Sequence, residues 1–238
     1  MKKIIFCGCG GLYNYSLGIA CVLQNRYFND SKYNKNTNNT NYNFNNFKFL
    51  GISAGVYPAL LLALKLDINT LFNTFNKEFL EEVSKCYLGA LFNWYDYARI
   101  YTNKYIPNDS YKSTNISISI TQINGFSNFE NKIIDKWKNK KDFMDCIISS
   151  GFIPLFGKYL FSYYNNKKCI DGCLTYDYKN KIDTDDTLYI YPSKWRKNIN
   201  YNWYYCYCDI KWTEQLYKWG IEDAEKNIEY LDKFFSNK

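Results

Sequence analysis

The chain has 238 residues, 47% of them hydrophobic, with 30 basic and 23 acidic side chains and no histidine. That length and apolar content fit one large α/β domain, or at most two small ones, and exclude a broadly disordered chain or a small disulfide scaffold. The lack of histidine excludes a Ser-His-Asp triad within this chain, and the net charge of +7 comes with no recognisable nucleic-acid-binding motif, so no nucleic-acid partner is expected.

Ile4 to Cys7 reads as a short buried strand, followed by a glycine turn, Gly8-Cys9-Gly10-Gly11. From Leu12 to about Phe28, Leu12, Tyr15, Ile19, Val22 and Leu23 keep helical spacing. The stretch from about 29 to 46 is rich in Asn and low in complexity, and is expected to be a long exposed loop. Phe47 to Leu50 reads as the second strand and Ala54 to about Leu66 as a helix, which Pro58 should deprive of one early hydrogen bond. Aromatic-rich helical segments follow to about Asn108. Ile116, Ile118 and Ile120 then alternate with Ser117, Ser119 and Thr121, a strand pattern.

The lysines at 136, 138, 140 and 141 read as a solvated helix face, with an anionic membrane or phosphate contact as the alternative. Phe143 to Ser150 reads as a helix, and Lys168 to Ile170 and Thr187 to Tyr191 as strands. Thr213 is placed to cap a last helix whose apolar stripe is Leu216, Ile221, Ala224, Ile228, Leu231 and Phe235. Strands alternating with helices imply a mostly parallel sheet layered by helices.

The apolar run after Met1 ends at glycines, short of the roughly 7 to 15 residues of a signal peptide, and no apolar stretch approaches the roughly 18 needed to span a bilayer. The expectation is therefore no export signal and no transmembrane span. Nine cysteines, several inside apolar runs (Cys7, Cys21, Cys146), suit a reducing, intracellular setting. Cys7-x-Cys9 and Cys206-x-Cys208 have the wrong spacing for zinc, so no metal site is expected.

Two turns and one acid could carry chemistry. Gly51-x-Ser53-x-Gly55 follows a strand and opens a helix, the frame of a nucleophile elbow. The plainer alternative is a buried serine capping its helix. The Gly8–Gly11 turn offers backbone N–H groups at a helix start, suited to a dinucleotide phosphate or to an oxyanion. Without histidine, a base for Ser53 must be Asp, Glu, Lys, Tyr or Cys. Asp171-Gly172-Cys173 stands out after a short strand, although Asp-Gly is ordinarily a turn signal.

In order along the chain, the runs Phe6–Ala20, Gly51–Gly55, Ile116–Thr121, Ser150–Pro154, Cys169–Cys173 and Leu216–Ala224 are similar to the glycine-rich opening, serine elbow, central strand, pre-acid segment, acid turn and closing helix of patatin-like phospholipases. The branch containing adipose triglyceride lipase and adiponutrin is the nearest in pattern. The resemblance implies one three-layer α/β/α domain over 1–238 with a central, mostly parallel sheet. It implies a lipid acyl hydrolase with a Ser-Asp dyad, Ser53 as nucleophile and Asp171 as base. Gly8, Gly10 and Gly11 would supply the oxyanion hole, and Gly51, Gly55 and Gly172 would support the elbow and acid turn.

It implies no cofactor, and a cytoplasmic protein that meets its lipid at a membrane or lipid-droplet surface. A transacylase of the same fold and a catalytically decayed lipid-binding protein are the alternatives. Tyr13, where the branch has glycine, and Cys173, where it has a small residue, depart from the pattern. The aromatic run around Trp203–Tyr207 would build a greasy wall but selects no head group.

Overall fold

In the computed structural model, which describes residues 1–28, 44–86, 92–125, 128–154, 156–177, 182–192, 194–197, 199 and 209–236, two βα units set the frame. Strand β1 (Lys2–Phe6) leads into α1 (Tyr13–Leu23), and β2 (Phe47–Ile52) into α2 (Val56–Ala63). A helical insert follows, made of α3 (Ile68–Leu71), α4 (Lys77–Lys85) and α5 (Trp94–Tyr105), before β3 (Ile116–Asn124). β1 pairs in parallel with β2 and with β7 (Thr187–Ile190), and β2 in parallel with β3.

These are the Ile- and Phe-rich runs of the sequence, and they are buried on both faces, as a parallel sheet requires. Ile4, Phe6, Phe49, Ile118 and Ile120 belong to the main core with α1, α2 and α6 (Lys140–Ser150). Ile5, Cys7, Leu50 and Ile52 form a smaller cluster with Cys173, Tyr176 and Tyr189.

β3 also carries antiparallel partners. β4 (Asn128–Ile134) and β6 (Lys167–Ile170) pair with it, and β5 (Ser162–Tyr164) pairs with β6. The fold is thus of the three-layer α/β/α class expected from the sequence, with a mixed seven-stranded sheet whose strands are paired along the path β5-β6-β3-β2-β1-β7, and β4 also paired with β3. The sequence pattern gives no strand at β4 or β5. β4 is an exposed edge with mixed polar and apolar side chains, so it lacks a clean alternation.

Three local expectations are corrected. The last helical region starts earlier and is broken in two, α7 (Ile210–Lys226) and α8 (Ile228–Ser236). Its cap is Asp209, whose carboxylate accepts from the Trp212 amide at 3.1 Å, and Thr213 lies buried inside the first turn. A carboxylate satisfies the cap position and also complements the helix dipole, which a hydroxyl does not. Of the expected stripe, Leu216, Ala224, Leu231 and Phe235 are buried, and Ile221 and Ile228 are half-buried.

The lysine run is not one helix face. α6 begins at Lys140, capped by Asn139, so Lys136 and Lys138 precede it. Lys140 Nζ donates to the carbonyls of Asn103 and Ile106 and to Asn108 Oδ1 at 2.9–3.0 Å, tying α6 to the end of α5. Pro58 falls in the first turn of α2, where its missing N–H has no helical acceptor, and the helix runs on unbroken. The Asn-rich stretch, apart from a short turn at Phe44–Asn46, and the aromatic run 203–207 lie outside the described residues. Among the described residues no helix is long and apolar enough to cross a membrane.

Candidate active site

Register brings Ser53 and Asp171 together. β2 occupies one edge of β3 as far as Ser119, which pairs with Ile52. From Thr121 the partner is β6, running the opposite way and ending with Ile170 opposite Thr121. β4 fills the other edge of β3 along both stretches, so β2 and β6 share one edge and meet head-on across Ile120. The next residue of each strand is Ser53 and Asp171.

The β2 end is a tight elbow. Ser53 has φ +54, a left-handed conformation that non-glycine residues seldom adopt, before the chain turns into α2. The flanking glycines permit close packing. A Cβ on Gly51 would lie 2.4 Å from Val56 Cα, and one on Gly55 would lie 2.3 Å from the Phe6 carbonyl oxygen at the end of β1. The Ser53 amide donates to Ser150 Oγ at 2.9 Å, and Ser150 Oγ donates to the Ser119 carbonyl at 2.6 Å, so the end of α6 pins the elbow to β3.

The acid turn is held as firmly. Asp171 N donates to the Phe152 carbonyl at 2.8 Å, and its own carbonyl accepts from Thr121 Oγ1 at 2.7 Å. A Cβ on Gly172 would lie 2.3 Å from the Ser119 carbonyl oxygen, so the turn lies flat on β3. Ser53 Oγ donates to Asp171 Oδ2 at 2.6 Å, and the Cys173 amide donates to Oδ1 at 2.8 Å. Both residues are buried, Ser53 at 6% and Asp171 at 7% exposure. Burial raises the Asp171 pKa above its ordinary value, and the hydrogen bonds from Ser53 and Cys173 oppose that rise without cancelling it. A desolvated carboxylate facing a hydroxyl is a better proton acceptor than one in water.

Ser53 and Asp171 stand in the wall of a cavity of about 480 Å³. The Gly8, Gly10 and Gly11 backbone lies along one side, Gly10 with φ +53, and Ile153, Pro154 and Leu174 make the rest largely apolar. The two departures noted in the sequence fall differently. Tyr13 is not in this wall; its ring is buried at the start of α1 and its hydroxyl donates to Asn76 Oδ1. Cys173 is in the wall, yet what it gives Asp171 is its amide, which any side chain leaves in place. None of the seven described cysteines forms a disulfide.

Three positioning residues escape the sequence reading. Ser150 and Thr121 are small polar residues in apolar elements, and full burial is the only sign of their task. Tyr95, from α5, donates its hydroxyl to the Gly151 carbonyl at 2.8 Å and accepts from the Ile153 amide at 2.6 Å, holding the loop before the acid. No local pattern marks it.

The sheet and the elbow define an α/β protein with a strand-turn-helix serine facing a buried aspartate. No protein-family model matches the chain. Direct comparison shows that the chain resembles patatin-like phospholipases. It is 28% identical over 191 residues to patatin-like phospholipase domain-containing protein 2 of Homo sapiens, covering 76% of this chain and 34% of that protein. It is 25% identical over 176 residues to patatin-like phospholipase domain-containing protein 4 of Homo sapiens, covering 73% of this chain and 64% of that one. It is 26% identical over 133 residues to omega-hydroxyceramide transacylase of Mus musculus, covering 54% and 22%. The chain therefore spans less than two thirds of the length of each of these relatives.

Proposed function

We propose that the chain is a lipid acyl hydrolase, a single patatin-like domain over 1–238 that cleaves fatty-acyl esters through an acyl-Ser53 intermediate with Asp171 as base. The observation that carries this reading is the 2.6 Å hydrogen bond from Ser53 Oγ to a buried Asp171, made at a strained elbow on the wall of an apolar cavity. The likeness to patatin-like phospholipase domain proteins supports a lipid ester as substrate.

In this mechanism Asp171 takes the Oγ proton as Ser53 attacks the ester carbonyl carbon. The carbonyl electron pair moves to oxygen, where the N–H groups of Gly8, Gly10 and Gly11 receive the charge. Collapse expels the alcohol, which leaves with the proton held by Asp171. Water then enters, gives a proton to Asp171 and attacks the acyl carbon. Collapse of this second intermediate returns the proton to Ser53 and frees the fatty acid. Leu174 at the cavity, and Tyr159 and Leu160 just before β5, are 64–72% exposed and offer apolar contact with a membrane or lipid-droplet surface.

Purified protein should hydrolyse a p-nitrophenyl ester and a phospholipid vesicle, and a fluorophosphonate probe should label Ser53. Ser53→Ala should abolish both, and Asp171→Asn should abolish turnover. Retained turnover in both variants would sink the dyad. The similarity to omega-hydroxyceramide transacylase supports a second reading, in which an alcohol replaces water at the acyl-serine. Adding acceptor alcohols and identifying the acylated product separates the two.

A further inference from the structure

Three cavities meet around Ser53 and the start of α1. The first is the open one of about 480 Å³, which contains both Ser53 and Asp171 in its wall. The second, of about 60 Å³, also reaches Ser53 and Gly10 but not Asp171, and Phe79, Trp94 and Tyr95 help to enclose it. The third, of about 30 Å³, lies among Leu60, Phe72 and Tyr105. Tyr13, Tyr57 and Phe75 line both the second and the third, so these rings form the partition between them. The Tyr13 and Tyr57 ring centroids are 5.7 Å apart, and those of Tyr57 and Phe75 are 6.4 Å apart.

Proton traffic decides which end of an ester goes where. Asp171 hands its proton to the departing alcohol and takes one from the incoming water, so both must pass through the cavity that Asp171 lines. The acyl group stays on Ser53 throughout, and a space that reaches Ser53 apart from Asp171 would leave the first cavity clear for both. The second cavity touches Ser53 without touching Asp171, and its aromatic wall suits a hydrocarbon chain.

We propose that the Tyr13 ring sets the length of the acyl chain this protein accepts, by closing the end of the second cavity. The proposal rests on the acyl-hydrolase reading. Tyr13 is held across the partition by its hydrogen bond to Asn76, and Asn76 in turn donates to Asn14 Oδ1. All three residues are buried, so water does not compete for these bonds. A water-sized group needs about 10–15 Å³ of such space. The 60 Å³ before the partition therefore takes at most about four to six chain atoms, and the 30 Å³ behind it at most about two or three more. Removing the ring joins the two spaces and adds its own volume.

The test has two independent readouts. The first is kcat/KM on p-nitrophenyl esters from butyryl through hexanoyl, octanoyl and lauroyl to palmitoyl. The second is calorimetric binding of the matching free fatty acids to Ser53→Ala protein. Wild type should prefer butyryl or hexanoyl and lose about tenfold or more by lauroyl. Tyr13→Ala should move both the kinetic and the binding cut-off to lauroyl or beyond. Tyr13→Phe, which keeps the ring, should keep the wild-type cut-off, and Tyr57→Ala gives a second opening should Tyr13→Ala fail to fold.

Identical length profiles in wild type and folded Tyr13→Ala, or a wild type without a cut-off in either series, would overturn the proposal. So would a failure of every fatty acid to bind. A binding cut-off that moves with Tyr13 while no ester is turned over would sink the hydrolase and leave the partition standing. Turnover with no change of length profile would do the opposite.

Discussion

Asp171 is buried and takes its hydrogen bonds from a hydroxyl and a backbone amide, Ser53 Oγ at 2.6 Å and Cys173 N at 2.8 Å. Asp232, on α8, has a side chain 43% exposed and is gripped by Arg26 Nε and Nη2 at 2.8 and 2.6 Å and by the Tyr27 hydroxyl at 2.6 Å. Burial lifts the Asp171 pKa above the ordinary value, whereas the Arg26 hydrogen bonds, ahead of any other influence, hold that of Asp232 below it. The same side chain thus holds a proton more readily in one place and serves as a fastener in the other. A guanidinium makes a carboxylate a poorer base, and desolvation opposite a hydroxyl makes it a better one. The site spends stability on a buried charge, and the grip of Arg26 and Tyr27 on α8 does not.

The largest effect that sharpens this contrast is Asp171→Asn. On the proposed mechanism kcat/KM falls by about 10⁴-fold, while the amide still accepts from Cys173 and no charge is buried. Thermal unfolding should therefore show a midpoint no lower than wild type. A variant that stays active but melts early would reverse the assignment. Next comes Gly55→Ala. A Cβ there meets the Phe6 carbonyl oxygen at 2.3 Å, in backbone that cannot yield cheaply. We expect a loss of about 1–3 kcal/mol in urea unfolding, with acyl transfer impaired as the elbow shifts. Unchanged stability would show that the elbow is loosely packed.

Acidity separates the two carboxylates by sign. An aspartate in the unfolded chain titrates near about 3.9. Asp171 has a folded value raised above that, so its contribution to stability is complete below the unfolded value and is lost as pH rises through the folded one. Asp232 has a lowered folded value, so its contribution is present above the unfolded value and is lost as pH falls through the folded one. From acid to neutral pH the stability of Asp171→Asn should therefore gain on wild type, and that of Asp232→Asn should fall behind it. Turnover should rise over the same range, with a midpoint above that of an ordinary aspartate. Unfolding curves and kcat/KM measured at a series of pH values check both. Slopes of the same sign for the two variants would break the comparison. Asp232→Asn itself is the smallest effect. Its side chain is well solvated, so at most about 1 kcal/mol is lost, less at high salt, with ester hydrolysis unaltered.

The readable parts of the molecule are those set by neighbours in sequence. Ile116, Ile118 and Ile120 announce β3 by alternation, and the elbow shows in Gly51, Ser53 and Gly55 because a tight strand-to-helix turn demands small residues at fixed offsets. β4 is opaque because an edge strand need not alternate. The cap at Asp209 is missed in favour of Thr213 because both are good caps and only packing chooses between them. Ser150, Thr121 and Tyr95 hold the site from three other elements, and nothing beside them in the chain marks that use.

The sequence alone therefore determined the α/β class, the resemblance to patatin-like phospholipases, and the exclusion of a histidine base, since each follows from composition or local pattern. Only the tertiary structure decided that Ser53 and Asp171 meet. They are 118 positions apart, and their contact depends on β2 and β6 ending head-on against one edge of β3. That register is set by pairing across the whole sheet, which no local run of residues encodes. It likewise decided that Tyr13 is a wall between two cavities and not an obstruction beside Asp171, because the direction of a buried ring depends on what packs around it.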